Sequence, residues 1–222
     1  MAEEIRVRRA READLAAVAP LLYLAATGMY RLLAGTEARA LRVVDSELRA
    51  GLVGATWVAE LDGEVAGAMV AYPYRDDPCH ARRLLRAVLR HAPPWRWPRI
   101  ARLHWRGQGL APNHPPDWLY VDALATDPAH RRRGVASALL AQAERSAGRA
   151  GLPALALDTP ESNEPALALY RRAGFRVAEV RPSAPPAPPA VVMLKELRAR
   201  PPAGPRRSPP RDPWPPGPPA PR

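Results

Sequence analysis

The residues best suited to chemistry lie in Thr126-Asp-Pro-Ala-His-Arg-Arg-Arg-Gly-Val-Ala-Ser137, between a near-continuous apolar run, 118–125, and a run of helical spacing from Val135 to Ala150. A helix start leaves backbone N–H groups unpaired and carries partial positive charge, so a loop opening into a helix there suits a pyrophosphate. Gly134 and Ala136 are small enough for the backbone to approach an anion, and Arg131, Arg132 and Arg133 add charge beside them. The loop lacks the Gly-Lys-Ser/Thr of a P-loop and the three glycines of a Rossmann turn, which sets aside nucleoside triphosphates and dinucleotides.

This segment resembles the acetyl-coenzyme A site of the GNAT N-acetyltransferase family, whose signature Gln/Arg-x-x-Gly-x-Gly/Ala opens a helix. The chain reads Arg131-x-x-Gly134-x-Ala136. Asp127-Pro128 closes the preceding strand as in many family members, Asn163 lies downstream with Tyr170 seven residues later, and Ala173-Gly174-Phe175 supplies the family's stop to its last helix. The resemblance runs over about residues 3 to 197 and is specific in 118 to 180. It implies that two central strands splay apart and that coenzyme A lies in the gap. Leu124, Ala125 and Thr126 would lie along the pantetheine arm, the first and third through main-chain bonds. Arg131, Arg132, Arg133, Gly134, Val135, Ala136 and Ser137 would surround the pyrophosphate, Asn163 would touch the arm, and Tyr170 would sit near the sulfur. Acetyl-CoA is then a co-substrate, and no metal is required.

Acetyl transfer from a thioester to an amine needs a deprotonated amine, a polarised carbonyl and a proton for the leaving thiolate. A primary amine has a pKa of about 10, so at neutral pH something must take its proton, directly or through water. Asp122 is the candidate base: it stands in an otherwise apolar strand, two residues before Leu124 and so on the same face. The alternative is a carboxylate paired with an arginine or capping a buried backbone gap. Tyr170 is the candidate general acid, against the alternative of a half-buried helix tyrosine beside Leu167 and Leu169. A backbone N–H on the Leu124–Thr126 strand is expected to polarise the carbonyl.

These groups must be positioned by an alternating set of elements. Ile5 and Val7 open a strand. A helix follows from about Glu12, which Pro20 should end or kink. Thr36 caps a second helix closed by Gly51. Asp62-Gly63 turns a hairpin between Thr56–Leu61 and Val65–Tyr72. After residue 125 come a helix at Val135–Ala150, a strand at Ala154–Asp158, a helix at Asn163–Ala173, and strands at Phe175–Val180 and Val191–Leu197. The expected architecture is α/β: a mixed, partly parallel sheet of about seven strands with helices on both faces. One domain should occupy 1–197. An insert at 73–117 interrupts it, proline-rich except for a helix over Arg82–Leu89, and a proline- and arginine-rich tail at 198–222 is expected to stay unfolded.

The net charge of +11 is unevenly placed. Residues 75 to 106 hold nine arginines against Asp76 and Asp77, and 198 to 222 hold six against Asp212, so the remainder is nearly neutral. Arginine interleaved with Trp95, Trp97 and Trp105 would suit a nucleic-acid partner, but that reading leaves the register of Asp122, the loop, Asn163 and Tyr170 unexplained and is the weaker one. The insert is instead expected to cover the acceptor side as a lid favouring an acceptor with an anionic or aromatic part, or else to form a homodimer contact. The acceptor is expected to be a primary amine of a small molecule, with a protein or peptide amine as the alternative. Neither His130, nor the other histidines, nor the single Cys79 has a spacing that suggests a metal site or a nucleophile. An acidic N-terminus, no apolar run of about 20 residues and one cysteine lead to the expectation of a cytoplasmic protein with no membrane partner.

Overall fold

The structure, a computed structural model, describes residues 4–98, 100–101, 114–182 and 189–197. One seven-stranded sheet organises them: β1 (Arg6–Arg9), β2 (Thr56–Leu61), β3 (Glu64–Pro73), β4 (Leu119–Thr126), β5 (Ala154–Pro160), β6 (Arg176–Arg181) and β7 (Ala190–Glu196). They lie in the order β1-β2-β3-β4-β5-β7-β6, and only β4 with β5 runs parallel. Ala66 to Pro73 of β3 is buried without alternation, so both faces of the sheet are covered. The helices are α1 (Leu15–Ala25), α2 (Thr27–Ala34), α3 (Glu37–Arg49), α4 (Asp77–His91), α5 (Val135–Ala150) and α6 (Glu164–Arg172). The mixed, partly parallel α/β sheet read from the sequence is the architecture found. The proposed tail at 198–222 and much of the insert after residue 101 lie outside the described residues.

Short-range chemistry accounts for most element ends. Thr36 accepts a hydrogen bond from the backbone of Arg39 at the start of α3, and Gly51 follows α3 with φ +112°. Asp62 and Gly63 both have positive φ, as a two-residue type I′ hairpin requires.

Two elements differ from the sequence reading. Pro20 does not end the first helix; it lies inside α1. It shares the exposed face with Ala16, whose carbonyl loses its helical partner there but can turn to water. The break comes later, at Ala26, with φ −134° and ψ 37°, and α2 leaves at 94° to the preceding helical run. In the insert, α4 is nearly twice as long as the expected 82–89 helix, because Pro78 sits at its first turn, where its missing N–H has no partner to lose.

Gly67 shows how closely β3 approaches the helix after the loop. A Cβ there would lie 2.6 Å from Val135 Cγ1 and 2.9 Å from the Ala125 carbonyl oxygen. The strand, the candidate loop's helix and β4 are therefore packed without room for a methyl group.

Candidate active site

The site is built where β4 and β5 stop pairing. Their parallel register runs from Leu119 opposite Leu155 to Val121 opposite Leu157 and goes no further, although β4 continues to Thr126 and β5 to Pro160. The strands diverge into a V, and Asp122 and Asp158 occupy the first unpaired position on its two arms. On its other side β4 pairs with β3, with Val121 opposite Ala71 and Ala123 opposite Val70, so Asp122 is the extra residue of a β-bulge. A bulge re-aims the side chain it carries.

The V opens into a cavity of about 540 Å³. Leu124, Ala125 and Thr126 line one wall; Arg131, Arg132, Gly134, Val135, Ala136 and Ser137 line its loop end; Asn163 and Tyr170 line the opposite side. Thus ten of the eleven residues that the resemblance assigns to the coenzyme share one cavity. The exception is the Arg133 side chain, whose guanidinium turns to Asp62 in the hairpin turn at 3.2 Å. Asp62 has no regular spacing relative to the loop, so nothing local signalled the pair. Leu24 and Ala25 at the end of α1 and Pro165, Ala166 and Leu169 of α6 complete the wall, and sequence reasoning missed them. Arg132 and Gly134 both adopt positive φ, +66° and +89°. The loop cradle, the exposed Arg131 and Arg132 beside it and the elongated cavity fit a pyrophosphate joined to an extended arm. Asn163 has a second task, accepting a hydrogen bond from Ala166 N as the N-cap of α6.

Tyr170 is 7% exposed and its ring packs 5.9 Å from that of Phe175. Burial, with a smaller contribution from the Asp158 charge, pushes the phenol up to about 12. It is thus neutral at physiological pH and a donor. A thiol titrates at roughly 8.5, so full proton transfer to a free thiolate is uphill from this phenol, which is better suited to donating a hydrogen bond than to giving up its proton.

Asp122 is open to solvent at its surface yet sits at the bottom of the V with protein around it. That enclosure, followed by the charges of Asp158 and Asp77, pushes it up to about 7. Accessibility lets a substrate reach the carboxylate; the enclosure and neighbouring charges set its proton affinity.

Around Asp122 the tertiary structure gathers acids and phenols that sequence reasoning did not single out. Tyr120 donates a 2.5 Å hydrogen bond to Asp158, Tyr72 donates to Asp77 at 3.1 Å, and Tyr30 donates to Glu47 at 3.0 Å. Glu47 is 6% exposed, and burial together with the Asp122 charge raises it to about 8. His80 stacks on Tyr72 at 3.9 Å and is held neutral, mainly by burial. Asp158 alone carried a usable signal, since it ends a buried strand as Asp122 interrupts one. The insert contributes Asp77 and His80 to this cluster, whereas four of its arginines lie elsewhere: Arg83, Arg86 and Arg90 line a groove against α3, and Arg96 donates to the carbonyl of Leu32 at 2.8 Å. The expectation of an arginine-lined acceptor side is therefore corrected for these residues; Arg99, Arg102 and Trp105 lie outside the description. Among the described residues no group of three or more His, Cys, Asp or Glu side chains could hold a metal ion, and no single helix is long and apolar enough to cross a membrane.

Comparison with known proteins agrees with this geometry. The solved N-acetyltransferase of Staphylococcus aureus Mu50 superposes with a TM-score of 0.64 at 19% identity, over 86% of this chain and 100% of that one. A Bacillus subtilis acetyltransferase solved in complex with CoA gives 0.51 at 15% identity, over 88% and 99%. At such identities these likenesses speak for the fold alone. In sequence, the chain is 40% identical over 99 residues to a mycothiol acetyltransferase of Clavibacter michiganensis, a match covering 41% of this chain and 31% of that protein. Matched segments span less than a third of the curated relatives, 24% and 31% of their lengths. The model of the acetyltransferase (GNAT) family matches residues 36–175, which is more than half of the chain and includes the bulge at Asp122, the loop, Asn163 and Tyr170. The chain belongs to the GNAT acetyltransferase family.

Proposed function

We infer that this protein moves the acetyl group of acetyl-CoA to a primary amine of a small molecule by direct attack. The observation that carries the reading is the unpaired V of β4 and β5, which has the loop and its arginines at one end, Tyr170 on its wall and, beyond the residues that line the cavity, Asp122 at the apex where the pairing stops. The acceptor enters as an ammonium, attracted by Asp122, Asp158 and Asp77, and Asp122 takes its proton. The freed nitrogen lone pair forms a C–N bond to the thioester carbon, with the carbonyl oxygen held by a backbone N–H of the Leu124–Thr126 strand. The C–S bond breaks as Tyr170 donates a hydrogen bond to the departing sulfur, and the second amine proton passes to the thiolate or to water. Products are the amide and coenzyme A.

The name of the Clavibacter relative points to a small-molecule acceptor and supports that part of the proposal. The same reading treats 1–197 as one acyltransferase domain interrupted at 73–117. The test is coenzyme A release from acetyl-CoA across a panel of small amines, aminoglycosides and peptides. Release dependent on a small amine is expected. Release only with peptides would replace the acceptor class, and coenzyme A binding without turnover of any amine would overturn the enzymatic reading.

A further inference from the structure

A second cavity, of about 760 Å³, lies away from the V between α3 and α4. The two helices run antiparallel. Arg83, midway along α4, lies against Gly51 beyond the end of α3, within 3.1 Å of where a Cβ would stand. Ser46 Oγ meets His91 Nε2 at 2.7 Å, and Arg96 beyond α4 reaches the turn at Gly35 before α3. Residues 42, 45, 46 and 49 of α3 share one face, as do 83, 86, 87 and 90 of α4, so each row extends roughly 10 Å at about 1.5 Å per residue. The core faces of the two helices, which bury Val43, Glu47 and Val88, point elsewhere.

Five arginines, Arg42, Arg49, Arg83, Arg86 and Arg90, line this groove against a single carboxylate, Asp45, which pairs with Arg49 at 2.9 Å. Arg42, Arg86 and Arg90 form no hydrogen bond or ion pair among the described residues. Guanidinium groups held on facing helix rows repel one another, and an anion placed between them relieves that repulsion. His91 registers the same field: burial and the charges of Arg90 and Arg42 lower its proton affinity below the ordinary imidazole value against the weaker pull of Asp45. A planar fork of donors on each arginine matches phosphate oxygens, and two rows of forks about 10 Å long match adjacent phosphates rather than one.

We propose that the α3–α4 groove is a binding site for a compact polyphosphate anion, a di- or triphosphate group, distinct from the coenzyme's loop. The ligand's phosphates lie between Arg42 and Arg49 on one side and Arg83, Arg86 and Arg90 on the other. The charge is concentrated within this bounded length, which favours a short anion over a chain tracked across the surface.

The experiment is calorimetric titration of the full chain with inorganic tripolyphosphate at low ionic strength, in the presence of saturating coenzyme A so that the Arg131–Ser137 loop is occupied. One site is expected, weakened at least tenfold in Arg42→Gln/Arg86→Gln/Arg90→Gln and unchanged in Arg82→Gln, an exposed α4 arginine outside the groove. Because all three substituted side chains are exposed, the variant should fold, and an unchanged circular dichroism melt with retained coenzyme A binding establishes that. A single variant, Arg86→Gln, gives the same direction at smaller size if the triple variant melts early. No tripolyphosphate binding in the presence of coenzyme A, or binding untouched by the three substitutions, overturns the proposal. Tight binding of a single-stranded RNA oligomer with none of tripolyphosphate overturns it too, in favour of a nucleic-acid surface.

Discussion

The proton affinity of Asp122 is the property most open to measurement. Its carboxyl is pushed up to about 7, by enclosure first and then by Asp158 and Asp77. If Asp122 takes the amine's proton, it must be ionised to act, so kcat/KM for the acceptor should fall on the acid side with unit slope and a midpoint near 7. At pH 6 about one molecule in eleven would be competent. Replacing Asp158 with Asn removes the largest charge acting on Asp122 while retaining a partner for the Tyr120 hydroxyl. Side chains leaving adjacent strands, spaced about 4.8 Å where paired and wider in the V, stand roughly 5–10 Å apart. At an effective dielectric of about 20–40 their repulsion is then of order 1–3 kcal/mol. That corresponds to a shift of about one unit, so the acid limb in Asp158→Asn should move to a midpoint near 6. Asp122→Asn should abolish the limb and lower the rate by about 10²–10⁴. The assay is coenzyme A release between pH 5 and 9, with acetyl-CoA affinity followed in parallel as a control. A limb that persists in Asp122→Asn, or one that stays at the wild-type position in Asp158→Asn, would refute the assignment of base and neighbour respectively.

Tyr170→Phe should lower kcat by about 10- to 10³-fold with little change in acetyl-CoA affinity, measured by steady-state kinetics and calorimetry, as for loss of a donor used in the transition state. Gly67→Ala should destabilise the fold by about 1–3 kcal/mol in a denaturant melt, because the added methyl meets Val135 and the Ala125 carbonyl, neither of which is a flexible tip. Glu47 is raised from 4.5 to about 8 in the folded chain. The folded state therefore holds a proton that the unfolded state has released, and stability on this account falls as pH rises from about 4.5 through 8. Glu47→Gln should remove that dependence and gain on the wild type by a few kcal/mol at pH 8, read as a difference in melting free energy between pH 5 and pH 8. A wild type equally stable at both values would contradict the burial of Glu47 as an acid.

What the sequence determined by itself was whatever depends on neighbours a few residues apart. The Thr36 cap, the Asp62-Gly63 turn and the loop between β4 and α5 each rest on hydrogen bonds or backbone angles set within a short window, and each appears where the residues place it. The apolar periods likewise determined the strand order and every helix outside the insert but α2, because burial on one or two faces leaves a repeat in the chain. What only the tertiary structure decided was which distant groups meet. Asp122 sits on a bulge because β3 carries one residue fewer between its partners, a fact about two strands rather than one. Glu47, Asp77 and Asp158 come from a helix, an insert and a neighbouring strand, and Glu47 and Asp77 taken alone read as ordinary surface acids. Only the point where β4 and β5 stop pairing brings them toward one carboxylate, and proton affinity depends on that convergence. Pro20 shows the same division: its local rule was sound, but which face of α1 meets water, and so whether an unpaired carbonyl costs anything, is settled by what the helix packs against.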